Sequence, residues 1–111
     1  MIERVHLLKL KPEHATPRSR REIVERALAV LGGLPGVRGV TAGAPADADT
    51  EKSWDVVIVV RFEALADIEP YRAHPEHRRF VDEYLGPLVD VKKGWNFECI
   101  DTGPGAILDP M

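Results

Sequence analysis

Apolar and polar residues alternate in three stretches of the chain and recur at helical spacing between them. Over Ile2 to Leu10 a period of two places Arg4, His6 and Leu8 on one face and Val5, Leu7 and Lys9 on the other, which predicts a first strand over 2–10. Trp54 to Phe62 is the strongest strand signal, with Val56, Ile58 and Val60 on one face and Asp55, Val57, Val59 and Arg61 on the other. A strand apolar on both sides is covered on both sides. Val37 to Ala42 reads as a short strand weakened by Gly39 and Gly43, and Val89 to Ile100 as a last strand interrupted near Gly94.

The intervening segments read as helices and loops. Thr16-Pro17 is an N-cap followed by proline at the first helical position, and Ile23, Val24, Ala27, Leu28 and Leu31 then form an apolar stripe that stops at Gly32-Gly33. The small, acidic run from Ala44 to Ser53 predicts a mobile loop. Asp67 is placed to cap a short helix that carries Tyr71; Pro75 turns His74 out of helical geometry and restarts the helix, which runs to about Leu85 before Gly86-Pro87. His77, Phe80, Val81 and Tyr84 share one side of that second piece.

The resulting order, βαββαβ, predicts an α+β domain over residues 1–100 with a C-terminal tail over 101–111. Its topology is the ferredoxin-like one, an antiparallel sheet with both helices on one face. Val5, Leu7, Val57 and Val59 point away from those helices, and an apolar sheet face of that kind signals association. Two such sheets placed face to face bury it, so a homodimer forming a dimeric α+β barrel is expected.

Composition narrows the partners. With 44% hydrophobic and 30% charged residues the chain is an ordinary globule, and a formal net charge of −3 gives no long-range pull toward nucleic acid or anionic lipid. The longest aliphatic run, Val56 to Val60, is far short of a membrane span, and the charges scattered through the first eleven residues do not make a signal peptide. Cys99 is the only cysteine, so no intrachain disulfide is possible; it reads as a packing residue, and a cytoplasmic location is expected. No cofactor is predicted: Gly32-Gly33-Leu-Pro-Gly36 lacks the G-x-G-x-x-G spacing, and no G-x-S-x-G elbow is present. No metal is predicted either, because Pro75 breaks the helical presentation of His74 and His77.

Three segments carry a family resemblance: Ile2 to Lys11, Trp54 to Glu63, and Tyr71-Arg-Ala-His-Pro-Glu-His77. With these the chain resembles the stress-responsive A/B barrel (Dabb) family of dimeric α+β barrels. The resemblance implies a cavity between sheet and helices. One plant member closes a polyketide chain by aldol chemistry, and its catalytic tyrosine and histidine fall on Tyr71 and His77. The cavity wall would include Ile23, Val24, Ala27 and Leu28 from the first helix, with Val56 and Ile58 from the third strand. The chain differs from the family's pattern in carrying Arg4 where a first-strand histidine is usual, Val56 at a further histidine position of the cyclase, and Asn96 where an aspartate is usual.

A histidine base needs an accessible pKa and a fixed tautomer, and a tyrosine hydroxyl can donate to a developing enolate oxygen. Tyr71 and His77 fit those roles, with His74 facing the same concavity and Asn96 orienting the His77 ring. Arg4, beside His6, is suited either to a ligand carboxylate or enolate or to a salt bridge with Glu98 or Asp101. The alternative for Tyr71, His74 and His77 is that they cap the broken helix and fill its contact with the sheet. Arg18, Arg20 and Arg21 read as a solvated helix face. Three functions follow: a homodimer binding a small apolar or polyketide-like molecule, with cofactor-free acid/base chemistry; a stress-associated domain that only self-associates; or a cofactor-independent monooxygenase.

Overall fold

A computed structural model of the chain describes residues 1–101, so the expected C-terminal tail lies outside the described residues except for Asp101. Strand β1 (Ile2–Leu10) is followed by helix α1 (Pro17–Leu31), strand β2 (Gly39–Gly43), helix α2 (Ala48–Ser53) and strand β3 (Val56–Phe62). Helices α3 (Ile68–Ala73) and α4 (Pro75–Arg78), a π-helical turn (Arg79–Leu85) and strand β4 (Val89–Glu98) complete it. The sheet order is β2-β3-β1-β4 with every neighbouring pair antiparallel, which is the ferredoxin-like topology.

Local chemistry explains the boundaries. Thr16 Oγ1 accepts from the Ser19 N–H at 3.1 Å and Pro17 opens α1, as the sequence predicts. His74, at φ −60 and ψ 134, leaves the helix before Pro75, and its ring Nδ1 accepts from the Glu76 N–H at 3.1 Å. The strict alternation of burial along β3 sends Val56, Ile58, Val60 and Phe62 into the core. They meet Ile23, Ala27 and Leu31 of α1 there, together with Leu8, Leu10, Ile68, Tyr71, Phe80 and Leu85.

Four expectations are corrected. The acidic run is a helix over its second half, because the Asp47 carboxylate accepts from Thr50 N–H at 2.8 Å and caps α2. Asp67 does not cap α3; its carboxylate turns back to accept from Ala64 N–H. Strand β4 runs unbroken through Gly94, and the irregularity lies instead opposite Lys9 and Leu10. The fourth is Asp55, expected on the outer face but fully buried: it accepts from the Leu10 N–H at 2.7 Å and from Arg20 Nη2 at 2.7 Å. Arg20 is therefore buried as well and does not belong to the solvated face with Arg18 and Arg21.

The outer face of the sheet is apolar, as expected, and extends further than the alternation of β1 and β3 indicates. Val5 lies opposite both Val59 and Trp95, and Glu3 opposite Phe97. Trp95 and Phe97 are 46% and 52% exposed.

Candidate functional site

The broken helix positions the site. Because the chain kinks at His74, α3 presents Tyr71 and α4 presents His77 to the same place, with ring centroids 4.4 Å apart and planes tilted by 58°. Phe62 packs edge-on against Tyr71 at 5.0 Å from the β3 side. Both motif side chains are buried, and they border a cleft of about 150 Å³ between the sheet and the helices. Its apolar wall comes from Leu8, Ile58, Leu31, Phe80, Val81 and Leu85. The π-helical turn supplies the last three, and such turns concentrate at functional sites.

The titratable groups are held in defined states. His77 Nδ1 lies 3.1 Å from the Arg72 carbonyl oxygen, which can only accept, so Nδ1 carries the proton and Nε2 is the basic atom. Burial, added to by the charges of Arg78, Arg4 and Lys92 and opposed by the Arg72 hydrogen bond, lowers the His77 pKa to about 4. Burial and the neighbouring Arg4 and Lys92 take His6 down to about 3. Both rings are neutral at physiological pH. Burial pushes the Tyr71 hydroxyl well above its ordinary value, against the pull of Arg4, so it stays protonated. Tyr71 Oη and Arg4 Nε are buried with no hydrogen-bond partner among the described residues.

Gly94 matters by what it lacks. It lies opposite His6 in the β1–β4 register, and a Cβ there would come within 2.8 Å of His6 Nδ1 and 3.5 Å of Arg4 Nη2. The absent side chain is what lets the imidazole and guanidinium lie over β4.

Of the residues expected at the site, Tyr71, His77, Arg4, His6 and Ile58 border the cleft together. Ile23, Ala27 and Val56 are buried in the core, where α1 packs on the sheet, and Val24 packs against that core; none of the four borders the cleft. Leu28 faces outward and is 43% exposed. His74 serves as a helix cap, as the alternative reading had it. Asn96 does not orient His77: its Oδ1 accepts from Arg4 Nη1 at 2.8 Å, and the backbone carbonyl of Arg72 takes the role assigned to it. This also replaces the salt bridge expected of Arg4 with Glu98 or Asp101.

The sequence reading missed Arg72, Arg78, Lys92 and Gly94, which also border the cleft. Arg72 lies within the motif and Arg78 directly follows it, and Lys92, Gly94 and Asn96 lie two apart on one face of β4, so both signals were available. Cys99 is only half-covered, and the Glu3 side chain raises its thiol pKa, which disfavours a nucleophilic thiolate. Among the described residues, no three His, Cys, Asp or Glu side chains gather to hold a metal, and no helix is long and apolar enough to cross a membrane.

A family model described as the stress responsive A/B barrel domain matches residues 2–102. The chain belongs to the Dabb family. No functionally curated protein matches it by sequence. Among solved structures, this Dabb chain resembles a protein of Arabidopsis thaliana, at 17% identity and a TM-score of 0.76, over 91% of this chain and 97% of that one. A protein of Thermobifida fusca, described as dimeric, ferredoxin-like and of unknown function, matches at 21% identity and a TM-score of 0.72, over 88% and 90%. Hydroxynitrile lyase from Passiflora edulis matches at 14% identity and a TM-score of 0.72, over 93% and 96%. At these identities the likeness establishes the Dabb domain's fold.

Proposed function

We propose that this Dabb domain is a homodimeric α+β barrel that binds a small, largely apolar molecule in the cleft. There it catalyses cofactor-free proton transfer beside a carbonyl, the step that an aldol-type cyclisation requires. The observation that carries this reading is the Tyr71–His77 pair: a protonated hydroxyl with no partner among the described residues, beside a neutral imidazole whose tautomer is fixed. His77 Nε2 takes the proton from the activated carbon, and Tyr71 Oη donates to the enolate oxygen as charge builds there. A base with a pKa near 4 is weak. Its natural task is therefore a carbon already acidified by two carbonyls, as in a polyketide-like substrate. The hydroxynitrile lyase similarity supports acid/base chemistry on this fold by analogy.

The test is hydrogen–deuterium exchange at the central carbon of ethyl acetoacetate, followed by NMR in mildly acidic D2O. The protein is expected to accelerate exchange about a hundredfold or more over buffer. His77→Ala is expected to return it to the buffer rate while leaving the dimer intact by light scattering. Exchange unchanged by His77→Ala removes the base assignment.

The apolar outer face supports the homodimer, and also the reading in which self-association is the whole function. The Thermobifida protein is described as dimeric. A monomer at high concentration in light scattering overturns the dimer, and catalysis of exchange overturns the purely assembling alternative.

A further inference from the structure

We infer that the cleft selects an organic anion, a carboxylate on a body about the size of one ring, and that Arg4 and Lys92 are the residues that read its charge. This rests on the cleft being a ligand site and adds the ligand's class.

Among the described residues four cations border the cleft, Arg4, Arg72, Arg78 and Lys92, and no aspartate or glutamate does. The four are not equivalent. Arg78 Nη2 holds both Asp82 oxygens at 2.8 Å, and Arg72 leans 3.9 Å from Glu69. Arg4 and Lys92 have no carboxylate in ion-pair range among the described residues. Among the described residues Arg4 meets only the neutral Asn96 amide, and its Nε is buried with no partner.

Leaving a guanidinium half-buried without a counter-charge is unfavourable unless an anion completes it. Lys92 is exposed at the rim of the cleft, where partial desolvation and the charges of Arg78, Arg4 and Arg72 outweigh the opposing Asp82 and lower the ammonium's pKa, so the surplus of positive charge extends to it. Strand register sets the two cations on the same face of the sheet, one on each side of the His6 ring. Arg4 lies opposite Asn96 and Lys92 opposite Leu8, and between them the His6 imidazole lies over Gly94.

A planar anion entering the cleft beside the His6 ring meets the Arg4 fork on one side and the Lys92 ammonium on the other. Its apolar body then lies against Leu8, Ile58 and Phe80, next to the Tyr71 hydroxyl. Size limits the body, because an apolar cavity of about 150 Å³ accommodates one benzene ring.

The experiment compares benzoate with benzamide, which has the same shape without the charge, by NMR titration of the whole protein. Benzoate is expected to bind about tenfold or more tightly, and this preference is expected to collapse in Arg4→Met and to shrink in Lys92→Met. Arg18→Met, which removes an exposed charge paired with Glu22 outside the cleft, is expected to leave it unchanged. Equal binding of the two probes overturns the anion inference while leaving the cleft as a ligand site. Binding of neither overturns both. A preference that survives in Arg4→Met and Lys92→Met also overturns the inference. The ethyl acetoacetate assay uses a neutral probe, so the proton-transfer reading stands or falls separately.

Discussion

The domain buries two polar clusters against the same sheet, and they are finished differently. At one, α1 and the residue before β3 bring Arg20 and Asp55 together. Arg20 Nη2 and Nε both donate to Asp55 Oδ1, at 2.7 and 3.1 Å, while Asp55 Oδ2 accepts from Leu10 N–H and Arg20 Nη1 lies 3.5 Å from Glu51. At the other, Tyr71 and Arg4 each bury a donor that meets nothing among the described residues, and two imidazoles are kept neutral beside four cations. Burial costs both clusters their hydration. Only the first is repaid among the described residues, so it is a tether, while the second is left open for the proposed ligand.

Breaking the tether gives the largest expected effect. Asp55→Asn leaves the buried Arg20 charge with the partly exposed Glu51 alone and is expected to cost about 3–5 kcal/mol, read as a fall in the urea midpoint. Replacing both partners with apolar residues, Arg20→Met with Asp55→Leu, is expected to recover much of that loss, since the cost lies in the orphaned charge. A double variant as unstable as Asp55→Asn would show that the Leu10 contact, not the ion pair, holds β1 to β3.

The open cluster responds to pH instead. Both histidines titrate near 6.5 when unfolded but near 3 and 4 when folded, so between those values the unfolded chain binds more protons. Their contribution to stability is complete above about pH 6.5 and is lost as pH falls toward 4 and below. Urea midpoints measured across that range are expected to decline in the wild type and to decline less in His77→Gln and His6→Gln. The exchange activity is expected to rise through about pH 4, the His77 value, and then stay level. An activity that rises only near 6.5 would mean that His77 titrates in contact with water and is not the buried base.

The contrast between the clusters also separates what the sequence disclosed from what it withheld. Periodicity found β1, β3 and the face each residue of β1 takes, because alternation is a local property that the sheet respects. The Tyr71–His77 pair was legible through the family resemblance, and the break at Pro75 that the sequence shows is what brings the two together. Arg20 and Asp55 were misassigned for a common reason. Arg20 sits in a run of arginines that reads as a solvated helix face and Asp55 alternates onto the outer face of the sheet, and only the tertiary meeting of two residues 35 apart in the chain buries them together. The cleft wall was misplaced for the converse reason. Ile23, Ala27 and Val56 are apolar and inward as expected, but they pack without leaving space, and the gap opens where the π-helical turn departs from α-helical spacing. Leu28 shows the limit of a helical stripe that is one residue too wide.

Gly94 offers a smaller break, confined to the open cluster. In Gly94→Ala the new methyl would stand 2.8 Å from His6 Nδ1, so the imidazole and the Arg4 fork above it must shift. The expected stability cost is about 1–3 kcal/mol, typical of overpacking, with loss of the benzoate preference at a little-changed Asp55 tether. Retained preference would mean that Arg4 reaches the anion without lying over Gly94.

The smallest expected effect on stability is also the one that divides the clusters by sign. Tyr71→Phe keeps the ring that packs against Phe62 and His77 and removes only the hydroxyl, which has no partner to lose among the described residues. Deleting a buried, unsatisfied polar atom relieves a desolvation penalty, so the variant is expected to be as stable as the wild type or up to about 1 kcal/mol more stable. The exchange rate is expected to fall about a hundredfold, the usual loss when a donor to a developing oxyanion is removed. In the tether, taking away a polar group is expected to weaken the fold; at Tyr71, taking one away is expected to strengthen or spare the fold and to disable the proposed chemistry. If Tyr71→Phe instead destabilised the domain as Asp55→Asn does, the hydroxyl would be making a structural bond. The open cluster would then be a second tether, and the case for a site at Tyr71 and His77 would fail with it.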